Sequence, residues 1–275
     1  MPGHPPGTMR AVTLPALGLA ALTACTAYVD VDLTAATTSS DAGSSGEGST
    51  DPTGTEAGDT GETKGPESCA DVLVGTPGAA DGAYTLHAGG DLAQPWQAWC
   101  VDMAGTPREY LILPMTGPDF NFSEFLVGPH QPETTVRTTY SRVRVDPHTL
   151  LVDVSDQTFA TSVGQVTYQT LEVRAMAYAT AMGCVDPDLD RARGNVDLRG
   201  TPFRVWASQW VSHAPSIFAG GAEASADDQV IQLSASGDCA YIFPGPYGSP
   251  NPTNDWGGFY LLLAYSVVVD PTGAP

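Results

Sequence analysis

Thr139-Tyr140-Ser141-Arg142-Val143-Arg144-Val145-Asp146, followed by Leu150-Leu151-Val152-Asp153-Val154, is the stretch that decides the fold. Arg142, Arg144 and Asp146 alternate with Val143 and Val145. Such period-two alternation puts one face of an extended chain in a core and the other in water. Comparable β-rich runs lie upstream at 84–87, 96–101 and 109–113, and downstream at 166–173, 203–206, 230–233 and 259–269. Pro, Gly, Asp and Asn separate them, as turns require. The last run is apolar on both parities, which suits a central strand buried on both faces. Only 171–184, with Ala175, Ala177, Ala179 and Ala181, offers a helix. The expectation is an all-β fold: one disulfide-bonded β-sandwich or barrel-like domain over 68–275, with few or no helices.

Composition agrees. Charged residues are 15% of the chain, against 30 Gly and 23 Pro, a mixture that favours turns and short strands over long helices. The formal net charge is −20 and Lys64 is the only lysine. A surface this acidic repels phosphate backbones, which excludes nucleic acid as a partner. It also disfavours docking on anionic headgroups, so membrane contact requires a hydrophobic anchor.

That anchor is legible near the start. Arg10 precedes an apolar run of about a dozen residues, the length of a signal-peptide core and short of the ~20 needed to span a bilayer. The run ends Leu22-Thr23-Ala24-Cys25, which resembles the bacterial lipobox. The expected organisation is a signal peptide over 1–24, then Cys25 as the acylated residue inserted in the lipid bilayer. The domain then faces outward from the outer membrane or cell surface. From Thr34 to Glu67 the chain has no aromatic residue and no Leu, Ile, Val or Met. Nothing there offsets the entropy of ordering, so 25–67 is expected to be a disordered tether reaching ~35 Å.

Four cysteines follow: Cys69, Cys100, Cys184 and Cys239. An even count in an exported chain implies two disulfides, for which three pairings exist. Pairing of neighbours, Cys69 with Cys100 and Cys184 with Cys239, closes loops of moderate length and stabilises by about 4 kcal/mol each in the loop-entropy account.

The order of segments in the domain is itself informative. It begins Cys69-Ala70-Asp71, then Asp81-Gly82-Ala83-Tyr84, Trp99-Cys100-Val101-Asp102-Met103 and Pro107-Arg108-Glu109-Tyr110-Leu111-Ile112-Leu113. Asn121-Phe122-Ser123, 140–146, 150–160, Met182-Gly183-Cys184, 193–200 and 203–213 follow. This succession resembles the GON domain found at the C-terminus of some ADAMTS metalloproteases, over about residues 68–240. The chain has fewer cysteines than that family, and 238–275 matches it least. The opening alone also resembles fibrinogen-like domains, but Ala104-Gly105-Thr106-Pro107 stands where those continue Gly-Gly-Gly-Trp-Thr.

The family's hosts are zinc metalloendopeptidases, yet the resemblance is to an accessory domain. Zinc proteolysis needs H-E-x-x-H, two imidazoles one helical turn apart beside a glutamate base. His4, His87, His130, His148 and His213 are far apart, and none begins that motif. There is no G-x-S-x-G elbow and no Gly-rich phosphate loop. Asp186-Pro187-Asp188-Leu189-Asp190 alternates oxygen ligands like a calcium loop, but Arg191 and Asp197 replace the required Gly and Glu. A solvated acidic turn is the better reading, and no metal or cofactor is expected. Recognition would fall to exposed aromatics, with Trp210, Tyr247 and Trp256 as candidates. Two functions remain open: a non-catalytic adhesion or recognition domain for a surface protein or glycan, or an exported hydrolase or zinc-peptidase-associated component with a scattered site.

Replacing the acylated residue tests the organisation. Cys25→Ser should move the protein from membranes into a soluble exported form, and labelled palmitate should no longer be incorporated. Continued incorporation refutes the lipobox reading.

Overall fold

Arg142–Val145 forms a strand with Val143 and Val145 buried and both arginines half-buried, as the alternation requires. The structure, a computed structural model, describes residues 64–131, 133–168, 170–225, 227–245 and 260–265. The leader, Cys25, the stretch to residue 63, Tyr247 and Trp256 lie outside the described residues. Gly65 N donates to Gly90 O and His87 N donates to Pro66 O. The chain therefore joins the fold slightly before the expected boundary at Ser68.

Two large sheets share one hydrophobic core. The six-stranded sheet runs Gly82–His87, Pro95–Val101, Arg108–Ile112, Arg142–Val145, Leu151–Asp153, Tyr260–Leu262, all neighbours antiparallel. The eight-stranded sheet follows the path Ala181–Val185, Val230–Pro244, Ala192–Asp197, Phe122–Val127, Thr135–Tyr140, Ala160–Gly164. Trp210–His213 and Phe218–Ala224 pair with the other edge of Val230–Pro244. The fold is all-β, with Cys69–Gly75 the one α-helix among the described residues. Ser68 and Asp71 cap that helix reciprocally, a short signal easily passed over in a β-rich sequence.

Three runs divide differently from their sequence reading. Stretch 139–145 is two strands, because the chain crosses from one sheet to the other at Ser141. There Ser141 N donates to Phe159 O, and Ser141 O accepts from Leu113 N. Stretch 166–173 folds back on itself, Val166–Tyr168 pairing with Leu171–Val173. The described part of the final run, 260–265, does not form a central strand. Tyr260–Leu262 closes one end of the six-stranded sheet and Ala264–Tyr265 pairs with Phe203–Arg204. Leu261 and Leu263 are buried while Leu262 is 43% exposed, so alternation exists but is hidden by an apolar residue on the solvent side.

Stretch 171–184 contains no helix. Between Val173 and Ala181 the backbone is held by side chains from neighbouring segments. Met176 N donates to Thr138 Oγ1 at 2.8 Å, and Thr180 N to Ser123 Oγ at 3.2 Å. Met176 O accepts from Tyr140 Oη and Gln157 Nε2, and Ala179 O accepts from the Trp210 indole. Buried peptide groups need partners, and here tertiary partners replace the helical ladder. The alanines alternate with Met176, Tyr178 and Thr180, which is a period of two.

Both disulfides join sequence neighbours, Cys69 to Cys100 and Cys184 to Cys239. The second sits where the pairing of Ala181–Val185 with Val230–Pro244 shifts register. Gly183 beside it admits no side chain, since a Cβ would lie 2.2 Å from Ala235 O.

Asn121 ties these parts together. It is fully buried with φ 47°. Its amide nitrogen Nδ2 donates to Met115 O and Asp197 O, and Oδ1 accepts from Tyr178 Oη and Asp197 N, all within 2.9 Å. Its backbone N donates to Asn195 Oδ1, and its carbonyl accepts from Tyr140 N. Asn121→Ala should cost about 3 kcal/mol or more in urea unfolding, because buried donors and acceptors lose their partners. Asn121→Gly loses the same bonds but relieves the left-handed backbone, so it should be milder by about 1 kcal/mol. A cost below about 1 kcal/mol for the alanine variant would remove Asn121 from this role.

Candidate functional site

Strand Thr135–Tyr140 sends Val136, Thr138 and Tyr140 into the core and Thr135, Arg137 and Thr139 to the opposite face. The next strand, Ala160–Gly164, aligns Thr161 with Thr139 and Val163 with Arg137. These side chains floor an open cavity of about 640 Å³, walled by Gly117, Pro118, His130 and Gln131. That volume suits a small ligand.

The charges in this cavity close on one another. Glu124 lies opposite Arg137 in the ladder and its side chain is 2% exposed. Its carboxylate accepts from Arg137 Nε at 3.0 Å and from Arg193 N at 2.9 Å, and lies 3.3 Å from His130 Nε2. A buried carboxylate needs such partners to offset its lost hydration. Arg137 also donates to Pro118 O at 2.8 Å and lies 4.0 Å above the Phe122 ring. His130 Nδ1 meets Asp190 Oδ2 at 2.5 Å. Both imidazole nitrogens therefore face carboxylate oxygens, and the ring bridges the loop after Val127 to the 186–190 turn. Burial pushes the Asp190 carboxyl up, but hydrogen bonds from His130 and the Arg191 amide outweigh it and hold Asp190 below its ordinary value.

The acidic triplet does not converge. Asp186 Oδ1 accepts from Asp188 N, and Asp186 O accepts from Leu189 N and Asp190 N, which closes the turn. Asp190 points to His130 instead. Among the described residues, no group of three or more His, Cys, Asp or Glu side chains is placed to share a metal ion. His148 pairs with Glu67 at 3.1 Å, and that bond raises its pKa above the ordinary imidazole value. His87, His130, His148 and His213 stand on separate segments.

Asp190 and His130 match the orienting half of a Ser-His-Asp arrangement. The atom beyond Nε2, where a nucleophilic hydroxyl would sit, is the Glu124 carboxylate. Thr135 Oγ1, in the same cavity, is enclosed without a partner among the described residues.

A second surface lies on the solvent face of the six-stranded sheet. The Arg142 guanidinium is sandwiched between Trp99, 4.3 Å from the ring centre, and Phe159, at 4.6 Å. Phe159 stands edge-on to Tyr110 at 4.8 Å, and Tyr110 Oη bonds Asp156 and Thr158, which fastens the 156–159 loop to the sheet. Trp210, by contrast, is 8% exposed with its indole N–H donated to Ala179 O, which places it in the core. Trp99 and Phe159 were not singled out by spacing, because they lie in different segments that only the loop crossing brings together.

Comparison with protein-family models, curated proteins and solved structures finds no match for this chain.

The His130–Asp190 bridge has a pH signature. A carboxyl depressed in the folded state adds stability above its unfolded value of 3.8, and that stability is lost as pH falls through the lower folded value. Asp190→Asn should therefore be less stable than the natural chain by about 1 kcal/mol near pH 6, with the gap closing as the pH falls below the ordinary carboxylate range. Urea midpoints across that range measure it, and a gap independent of pH would show that charge plays no part.

Proposed function

We propose that this chain is an exported lipoprotein, anchored through an acylated Cys25, whose β domain is a non-catalytic, GON-like recognition domain for a surface protein or glycan. The observation that carries this reading is the contrast between the two surfaces. The aromatic–guanidinium stack of Trp99, Arg142 and Phe159 is half-buried and held by the neighbouring strand and loop, the makings of a contact surface. The acid–base side chains of the cavity are already bonded to one another.

A general base must reach a substrate proton, and a nucleophile must reach its base. His130 has a carboxylate on each side, and Glu124 is enclosed by its donors. The hydrolase reading draws on the Asp190–His130 pair, and it requires Glu124 to leave the position a nucleophile would take.

Capture and cleavage assays on the same full chain separate the two. Saturable capture of surface glycans or proteins, weakened by Trp99→Ala, together with no cleavage of casein or gelatin, is the expected result. Chelator-sensitive cleavage with stoichiometric bound zinc would overturn the reading.

A further inference from the structure

We propose that Trp99, Arg142 and Phe159 form a binding site for a carboxylate-bearing sugar, as in an acidic glycan. The inference rests on the recognition reading above and names its ligand class.

The starting point is an arginine without a carboxylate. The chain has 31 acidic residues against 11 basic ones, so each guanidinium has an abundance of partners. Arg137, Arg144, Arg174 and Arg199 each take one, at 2.6 to 3.8 Å. Arg142 does not. Its Nε is enclosed with no partner, while its terminal nitrogens are open to solvent and make no hydrogen bond or ion pair among the described residues. Two aromatic rings hold the guanidinium plane in place. The fork is fixed and already partly stripped of water, which is the state in which it binds a carboxylate with two parallel hydrogen bonds. A lysine cannot reproduce that geometry.

The surroundings select a sugar. Gln97 and Trp99 point to the same face of strand Pro95–Val101, about 7 Å apart along the strand. Gln97 Nε2 donates to Thr85 Oγ1 at 2.8 Å on the neighbouring strand, and both residues are exposed. An amide and a hydroxyl therefore lie along the sheet face beside the indole, with the guanidinium over part of its ring. A pyranose places its apolar C–H face on the part of Trp99 that Arg142 leaves open, its hydroxyls on Gln97 and Thr85, and its carboxylate on Arg142. The net charge of −20 opposes anions at long range, but screening limits that field to roughly 8 Å at physiological salt. A single carboxylate at contact distance survives it, and a polyphosphate backbone does not. Asp156, the nearest competing carboxylate along the loop, is engaged by Tyr110 Oη.

The test is calorimetric titration of the full chain with a glucuronic-acid-containing tetrasaccharide, its carboxyl-reduced form, and acetate. The acidic tetrasaccharide should bind about tenfold or more tighter than the reduced form, with acetate undetected. Arg142→Lys should abolish the preference of the acidic over the reduced form, and Trp99→Ala should weaken both sugars. Unfolding midpoints near the natural value show that the variants are folded. Equal affinity for the two tetrasaccharides, or a preference that survives Arg142→Lys, overturns the carboxylate site and leaves a recognition domain for neutral sugars. Binding of neither sugar also overturns it, and the recognition reading then stands or falls on the capture experiment alone.

Discussion

Asn121 is buried in a left-handed backbone conformation, and every hydrogen-bonding group of its side chain has a partner. Those partners come from the loop at Met115, from Asp197 at the end of strand Ala192–Asp197, and from Tyr178 in the irregular segment before Ala181. The consequence is register. The residue that follows, Phe122, pairs with Thr139 on one side and Asn195 on the other. Two residues on, Glu124 is then forced opposite Arg137. A slip by one residue would move every side chain of the strand to the other face. It would put Glu124 into the apolar core and leave Arg137 without its carboxylate. The cavity charges are thus a downstream product of one satisfied amide.

The same economy governs the few basic residues. In a chain so acidic, a cation fixes whichever loop supplies its partner. Arg137 secures the 117–119 loop through Pro118 O, and Arg199 forks onto Asp197, the residue that also completes the Asn121 network. Exposed pairs of this kind add little stability singly. Glu124 and Asp197, however, are almost wholly buried, so their donors decide whether those carboxylates are tolerable at all. Arg142 is paired with rings instead of an acid.

The fold class and the strand-rich runs were legible in the sequence, because alternation is a local property; the four cysteines left three pairings open, and the structure selects the neighbour pairing. What escaped was set by partners distant in the chain. The break at Ser141 carries no turn residue; it is made by Phe159 and Leu113. The 171–184 alanines suggested a helix, but Thr138, Tyr140, Gln157, Ser123 and Trp210 bind that backbone first. Trp210, taken as a surface aromatic, is one of those ties. The segment Asn121-Phe122-Ser123 was noticed through resemblance alone, and only the structure supplies its physics. Asp190 was legible as part of an acidic turn, whereas its bond to His130 joins loops from separate strand connections.

The rigidity of the aromatic platform has a traceable origin in the first disulfide. Trp99 precedes Cys100, whose sulfur is bonded to Cys69 in the short helix. Cys100 also faces Glu109 across the ladder, and Glu109 accepts from Cys69 N at 2.8 Å. Burial raises the Glu109 pKa, while that backbone bond opposes the shift. Helix, disulfide and carboxylate therefore converge on the strand position next to Trp99. On the neighbouring strand Tyr110 pairs with Trp99 and anchors the loop that presents Phe159. Neither ring depends on a mobile loop tip for its placement. A surface held this way loses little conformational freedom on contact, so more of its interaction energy remains as affinity. Covalent and hydrogen-bonded constraints thus accumulate around the stack of Trp99, Arg142 and Phe159, and the cavity beside His130 has its charges fixed chiefly against one another.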